Sequence, residues 1–270
     1  MKVAYTGWTW IGPRKEDHPK EFEQFLKEIA NLGYHHAENF CFTVDIFDSN
    51  ADTLIDLLKK YDIVLENLYL GYSGDFDKDW AMAERSVPFL KKAGVSYLNL
   101  QAACFPGPSV LPVDEELLRK YADLSNRIGK LCAENGIKAC FHPHANSHVF
   151  TEEQIDLFLS MTEPEFVGLC LDTAHTTIAG MDPVAMVTKY ASRIKYMHLK
   201  DVDPELAKSD APMSSFLPLG MGTIDFKGVY KALKAWGYDG VLCVEVDRPP
   251  VCNYHSAMVS RQYIRDVLGL

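Results

Sequence analysis

The sequence predicts an α/β chain folded as a single (β/α)8 TIM barrel over residues 1–270. Three observations predict it. Short β-branched or aromatic runs alternate with amphipathic stretches of helical length, eight such pairs follow one another, and the chain length suits a barrel of about 250 residues. Strands separated by helices imply parallel pairing through right-handed crossovers, and eight units close on themselves. An open doubly wound sheet is the second choice, because no G-x-G-x-x-G follows the first strand.

The elements follow in order. Strand one is expected over 3–8, then a helix over 19–31 with Phe22, Phe25, Leu26 and Ile29 on one face and Gly33 as its stop. Strand two spans 36–40, followed by a helix over 51–60 with Leu54, Leu57 and Leu58 inward. Strand three spans 63–70 and its helix 80–93, ended by Gly94. Strand four, 97–102, leads through Phe105-Pro106-Gly107-Pro108 into a long helix over 114–134. Strand five spans 138–142, and its helix, 151–161, opens with a capping box of Thr151 and Gln154. Strand six is 167–171 with a helix over 183–190. Strand seven is 194–199, and a polar loop runs on to about Thr223. The helix 226–236, strand eight over 241–246 and a helix over 256–267 close the pattern.

Composition narrows the partners. With 27 Lys and Arg against 37 Asp and Glu, the net charge is −10 and no basic cluster stands out, which disfavours nucleic acid and anionic membrane. The seven cysteines are scattered, never C-x-x-C, and suit a reduced cytoplasm as small hydrophobes. No secretory stretch opens the chain and no run of about 18 apolar residues exists.

A barrel of this kind carries its chemistry at the C-terminal strand ends. Strands five to eight end in Cys140-Phe141-His142-Pro143-His144, Leu169-Cys170-Leu171-Asp172, Tyr196-Met197-His198-Leu199-Lys200-Asp201 and Cys243-Val244-Glu245-Val246-Asp247. Side chains alternate with period two, so His142, Asp172, His198 and Glu245 each share a face with the Cys or Tyr two residues earlier. Four consecutive strands thus offer a metal-capable residue at one height. Unpaired carboxylates there would lose several kcal/mol of solvation. One divalent ion offsets that, and the mixed imidazole–carboxylate set suits Mn, Co, Zn or Fe, with Mg as a further candidate. His144 competes with His142 as the strand-five ligand.

The stretches Leu171-Asp172-Thr173-Ala174-His175, His198-Leu199-Lys200-Asp201, Leu219-Gly220-Met221-Gly222-Thr223-Ile224-Asp225-Phe226, Gly237-Tyr238-Asp239-Gly240 and Val244-Glu245 resemble the sugar phosphate isomerase/epimerase family of xylose-isomerase-like barrels, inosose isomerases and dehydratases included. The resemblance covers most of the chain, loosely in the first half. It implies metal ligands Glu, Asp, His and Glu from successive strands; Asp172, His198 and Glu245 match, and His142 stands where the first Glu is expected. It implies a metal-dependent enzyme that abstracts a proton beside the carbonyl of a keto sugar or keto-inositol. Isomerisation or epimerisation is the first expectation. The substitution of His142 shifts weight towards elimination from a keto sugar, keto-inositol or 3-keto-glycoside.

On this reading Glu245 or His144 is the base. His175 contacts a substrate oxygen, as its counterpart does in the family, or is a hydrogen-bonded loop residue. Lys200 either neutralises an oxyanion or pairs with Asp201. Glu38, ending strand two, binds a substrate hydroxyl or forms a rim salt bridge. Trp8, Trp10, Tyr69 and Tyr72 stack on a sugar or belong to the core. His148 reaches the mouth or is solvated. Residues 102–113 and 201–223 cover the small-molecule substrate or contact a second copy of the chain. Two further classes compete: an abasic-site endonuclease, which would need more ligands and a basic groove, and a non-catalytic sugar-binding barrel.

Overall fold

In a computed structural model, eight parallel strands close into a barrel in the order β1-β10-β7-β6-β5-β4-β3-β2. The structure describes residues 1–105, 110–207 and 215–270. The barrel strands are β1 (Lys2–Thr6), β2 (His36–Phe40), β3 (Val64–Gly71), β4 (Tyr97–Gln101), β5 (Lys138–Phe141), β6 (Val167–Asp172), β7 (Ile194–Leu199) and β10 (Val241–Val244). Between the last two, β8 (Asp201–Val202) and β9 (Phe216–Leu217) pair as a small antiparallel ribbon.

The helices are α1 (His18–Asn31), α2 (Thr43–Ile46), α3 (Ala51–Tyr61), α4 (Phe76–Ala93), α5 (Glu115–Glu134), α6 (Glu152–Ser160), α7 (Thr173–Ile178), α8 (Pro183–Lys189), α9 (Pro204–Ala207), α10 (Phe226–Trp236) and α11 (Asn253–Tyr263). Their apolar stripes fall where the 3.6-residue period puts them: α1 buries Phe22, Phe25, Leu26 and Ile29 against the barrel. Truncating one such phenylalanine costs about 3–5 kcal/mol. The capping box of Thr151 and Gln154 opens α6 with both of its bonds formed.

Three local readings change. Strand one stops at Thr6 rather than residue 8, because the chain turns into a 3-10 segment, Trp8–Trp10, at the barrel mouth. The fourth helix starts at Phe76, four residues early, since Asp75 accepts from Lys78 N and caps it there. The sequence reading had no helix directly after strand six, yet α7 begins at Thr173. Within the stretches read as covering loops, residues 106–109 and 208–214 lie outside the described residues.

Inside the barrel, Ala4, Tyr97, Cys140, Cys170, Tyr196, Val241 and Cys243 form a packed plug. Four of these sit two residues before His142, Asp172, His198 and Glu245, so period-two alternation lifts those polar side chains into the layer above. All seven cysteines are free. Among the described residues no helix is long and apolar enough to cross a membrane.

Candidate metal centre and cavity

Asp172 ends β6 and also caps α7. Its Oδ1 accepts from Ala174 N (2.7 Å) and His175 N (2.8 Å). That capping bond fixes the carboxylate, leaving Oδ2 free to meet the neighbouring strands. In register, Asp172 faces His198 on β7, and His198 faces Cys243 on β10. Glu245 lies just beyond β10, its N–H still bonded to Leu199 O. Likewise His142 extends β5 by bonding Leu100 O.

Ligand-type atoms of Asp172, His198 and Glu245 lie within 4.8 Å of one another, all buried. Glu245 Oε2 is 3.0 Å and Asp172 Oδ2 3.8 Å from His198 Nδ1. His142 belongs to an overlapping group with His198 and Cys170, and its Nε2 is 3.6 Å from Asp172 Oδ2. Asp172 Oδ2, His198 Nδ1 and both ring nitrogens of His142 are buried without a hydrogen-bond partner. Orphaned polar atoms are rare in folded proteins, and here they converge from three strands. Their donor set, imidazole plus carboxylate, fits a divalent transition-metal ion.

A cavity of about 200 Å³ opens above this cluster, lined by Trp8, Phe40, Tyr69, Gln101, His142, His144, Lys200, Glu245 and Asp247. That volume fits one small polar ring rather than a drug-sized ligand of about 300–1,000 Å³. A larger cleft of about 430 Å³ lies at the opposite strand ends, around Gly136, Lys138, Pro164 and Gly168, away from these groups.

Lys200 is 1% exposed and sits among carboxylates: its Nζ is 2.8 Å from Asp247, 2.9 Å from Glu245 and 3.6 Å from Asp172. Burial works against its charge, but Asp247, Glu245 and Asp172 hold the ammonium well above its usual range. The alternative pairing with Asp201 is not formed. Asp201 instead accepts from the backbone N–H of Gly220 (2.9 Å), Gly222 (2.8 Å) and Ile224 (3.2 Å), tying the Leu219–Phe226 motif to the ribbon. Gly222 is required there, since a Cβ would lie 2.4 Å from both Asp201 Oδ1 and Val202 O.

The histidines divide by their surroundings. Burial depresses His142, and pushes His144 down to about 3 and His175 well below its usual value, so these stay neutral. Burial opposes the charged form of His198 too, yet Glu38 and Glu245 raise it to about 10. Burial lifts Asp247 to about 6. His144 Nδ1 lies 2.6 Å from Ala145 O, which only accepts, so Nε2 carries the lone pair of the neutral ring. Its ring centroid is 3.9 Å from that of His175.

The remaining sequence candidates separate. Trp8 lines the cavity and donates to Glu245 Oε1 (3.0 Å). Tyr69 lines it as well, whereas Trp10 packs on Tyr5 and Phe25, and Tyr72 bonds Ser125 and stacks on Tyr121. His148 meets Phe105 edge-on and His175 packs beside His144; neither lines the cavity. Glu38 is fully buried below it, bonded to Asn67 and His198, in place of the rim position read from the sequence. Gln101 and Asp247 line the cavity without having been singled out. Both are polar residues at C-terminal strand ends, the signal used for the other four.

A family model described as xylose isomerase-like TIM barrel matches residues 26–265. An inosose dehydratase of Clostridium beijerinckii is 35% identical across all of this chain and 98% of its own length. Two solved structures share the fold. One is the IOLI protein with a zinc atom bound, at 19% identity and TM-score 0.75 over 100% of this chain and 98% of that one. The other is a Methylomonas sp. D-allulose 3-epimerase in complex with D-allulose, at 19% identity and TM-score 0.79 over 98% and 96%. The resemblance read from the motifs is therefore correct at the family level, and the chain belongs to the xylose isomerase-like TIM barrels.

Proposed function

We propose that this chain is a divalent-metal-dependent enzyme acting on a keto-inositol or keto sugar, and that it eliminates water across the carbons α and β to the carbonyl. The observation carrying this is the arrangement of the cavity. Both lining carboxylates, Glu245 and Asp247, come from the end of one strand, and the imidazoles His142 and His144 come from β5, three places round the barrel. Among the described residues that line the cavity, no two carboxylates come from opposite sides of the barrel, which favours elimination over a two-carboxylate epimerisation. The full-length similarity to an inosose dehydratase supports the same choice, and the zinc atom bound to the IOLI protein, which shares this fold, supports a divalent metal.

Asp172, His198 and Glu245 would hold the ion, with His142 as the fourth donor. When bound, the ion supplies Lewis-acid polarisation of a carbonyl oxygen. The other steps belong to the chain. Trp8, Phe40 and Tyr69 supply an apolar wall for the ring, and Gln101 hydrogen-bonds a hydroxyl. Neutral His144 takes the proton from the carbon next to the carbonyl through Nε2, its Nδ1–H being held by Ala145 O. The Lys200 ammonium lies beside the charge that develops on oxygen. The imidazolium of His144 then returns its proton to the β-hydroxyl on the same face. The C–O bond breaks, C=C forms and water leaves, so no further reagent is needed. Isomerisation and epimerisation share the first step and differ in where the proton returns.

NMR of an inosose and a ketose panel in D2O with Zn2+ or Mn2+ tests this. The expected result is loss of water from the inosose, abolished by chelator and lowered about 100-fold or more in His144→Gln. Solvent deuterium appearing in a ketose without any loss of water would overturn elimination in favour of isomerisation.

A further inference from the structure

We infer that Glu38 is a positioning residue that selects the metal-binding nitrogen of His198, holding the ring by Nε2 so that Nδ1 faces Asp172 and Glu245. The inference rests on the metal reading above and assigns a residue outside the proposed ligands. Glu38 sits in the middle of β2, across the barrel from β7, and is 0% exposed. Its Oε2 lies 3.0 Å from His198 Nε2 and accepts a second bond from Asn67 Nδ2 at 2.9 Å. Asn67 is itself fixed, since its Oδ1 accepts from Asn99 N at 2.9 Å. A chain of three strands, β4 to β3 to β2, therefore sets one carboxylate oxygen against one ring nitrogen.

An oxygen that already accepts from an amide is the acceptor for the imidazole too, so Nε2 carries the hydrogen. The other ring nitrogen, Nδ1, is then the one whose proton a bound cation replaces. His198 Nδ1 is buried and without a hydrogen-bond partner, although two carboxylate oxygens lie within 3.8 Å. Such a carboxylate–imidazole contact orients a ligand ring and raises its basicity, and losing it typically lowers metal affinity about 10–100-fold. A substrate hydroxyl could not reach Glu38 without displacing this network, because the cavity wall above is made by other residues.

Zinc affinity by competition with a chromophoric chelator, joined to long-range 1H–15N NMR of the zinc-loaded protein, tests the inference. The His198 signals are assigned by their loss in His198→Gln. The expected result is a retained Nε2–H and zinc on Nδ1 in the wild type, with affinity falling about 10–100-fold in Glu38→Ala and partly restored in Glu38→Gln. Zinc bound through Nε2 in the wild type overturns it without any variant having to fold. Unchanged zinc affinity in a folded Glu38→Ala overturns it as well. A wild type that binds no zinc sinks the metal reading itself, a result distinct from the other two.

Discussion

The barrel interior buries charge at both ends, and the two ends solve the problem differently. At the N-terminal strand ends, Glu66 is fully buried and meets Lys2 Nζ and His36 Nδ1, each at 2.8 Å. Burial opposes its charge, but His36 and Lys2 keep the carboxyl below its usual value. Lys2 is half-exposed and reaches water. At the C-terminal ends, Glu38, Asp172, Glu245 and Asp247 are all buried, and among the described residues only Lys200 and His198 are held as cations beside them. The first cluster is closed by the chain's own Lys2 and His36. The second keeps a surplus of negative charge that the chain does not neutralise, and a low-dielectric interior makes such a surplus expensive. One end is thereby a plug and the other a binding site, though residue types at the two ends overlap.

Removing the central cation at each end breaks this contrast most sharply. Lys200→Met strips three buried carboxylates of their shared partner and is expected to cost about 3–5 kcal/mol in chemical denaturation. An effect below about 1 kcal/mol would show that the upper charges are not coupled. Next in size, Zn2+ at a hundred times its Kd should stabilise the protein by about 2.7 kcal/mol. That gain should vanish in His198→Ala, as read by thermal unfolding, and persist in Lys2→Met. Lys2→Met itself, with a solvated ammonium and His36 still in place, should cost about 1 kcal/mol or less; a loss as large as that of Lys200→Met would erase the distinction.

The smallest effect is in the pH slope. His144 is depressed from 6.5 to about 3 in the fold, so its contribution is present above pH 6.5 and is lost as pH falls towards 3. Thermal melts in chelator should therefore decline from pH 6.5 downward, and His144→Gln should decline less. Identical slopes would mean that the imidazole is solvated rather than buried neutral.

Strand parity made the upper layer legible from the chain alone. Cys140, Cys170, Tyr196 and Cys243 announce an inward face, and the polar residue two positions later must stand one layer higher. The same rule offers Gln101, two residues after Asn99, and Asp247, two after Glu245, and both line the cavity. Reading Glu38 as the end of strand two puts it at the rim, whereas it lies in the middle of β2 and is fully buried. Its real depth depends on the register of β2 against β1 and β3, including the irregularity between Ala37 and Glu38. Period alone does not specify such a shift. Parity does put Lys200, two residues after His198, on the inward face and Asp201 on the other; what it does not specify is that Lys200 meets Asp247 and Asp201 the Gly220–Ile224 backbone.

By itself, then, the sequence determined the eight-fold β/α alternation, the helix faces, the caps and the set of strand ends that carry chemistry. These follow from periodicity, length and local hydrogen bonding, all of which act within a few residues. Only the tertiary structure decided which of those polar ends share one charge environment. His198 lies 160 positions from Glu38 yet 3.0 Å away, and closure of the barrel, with its strand registers, is what brings such distant groups into one low-dielectric space.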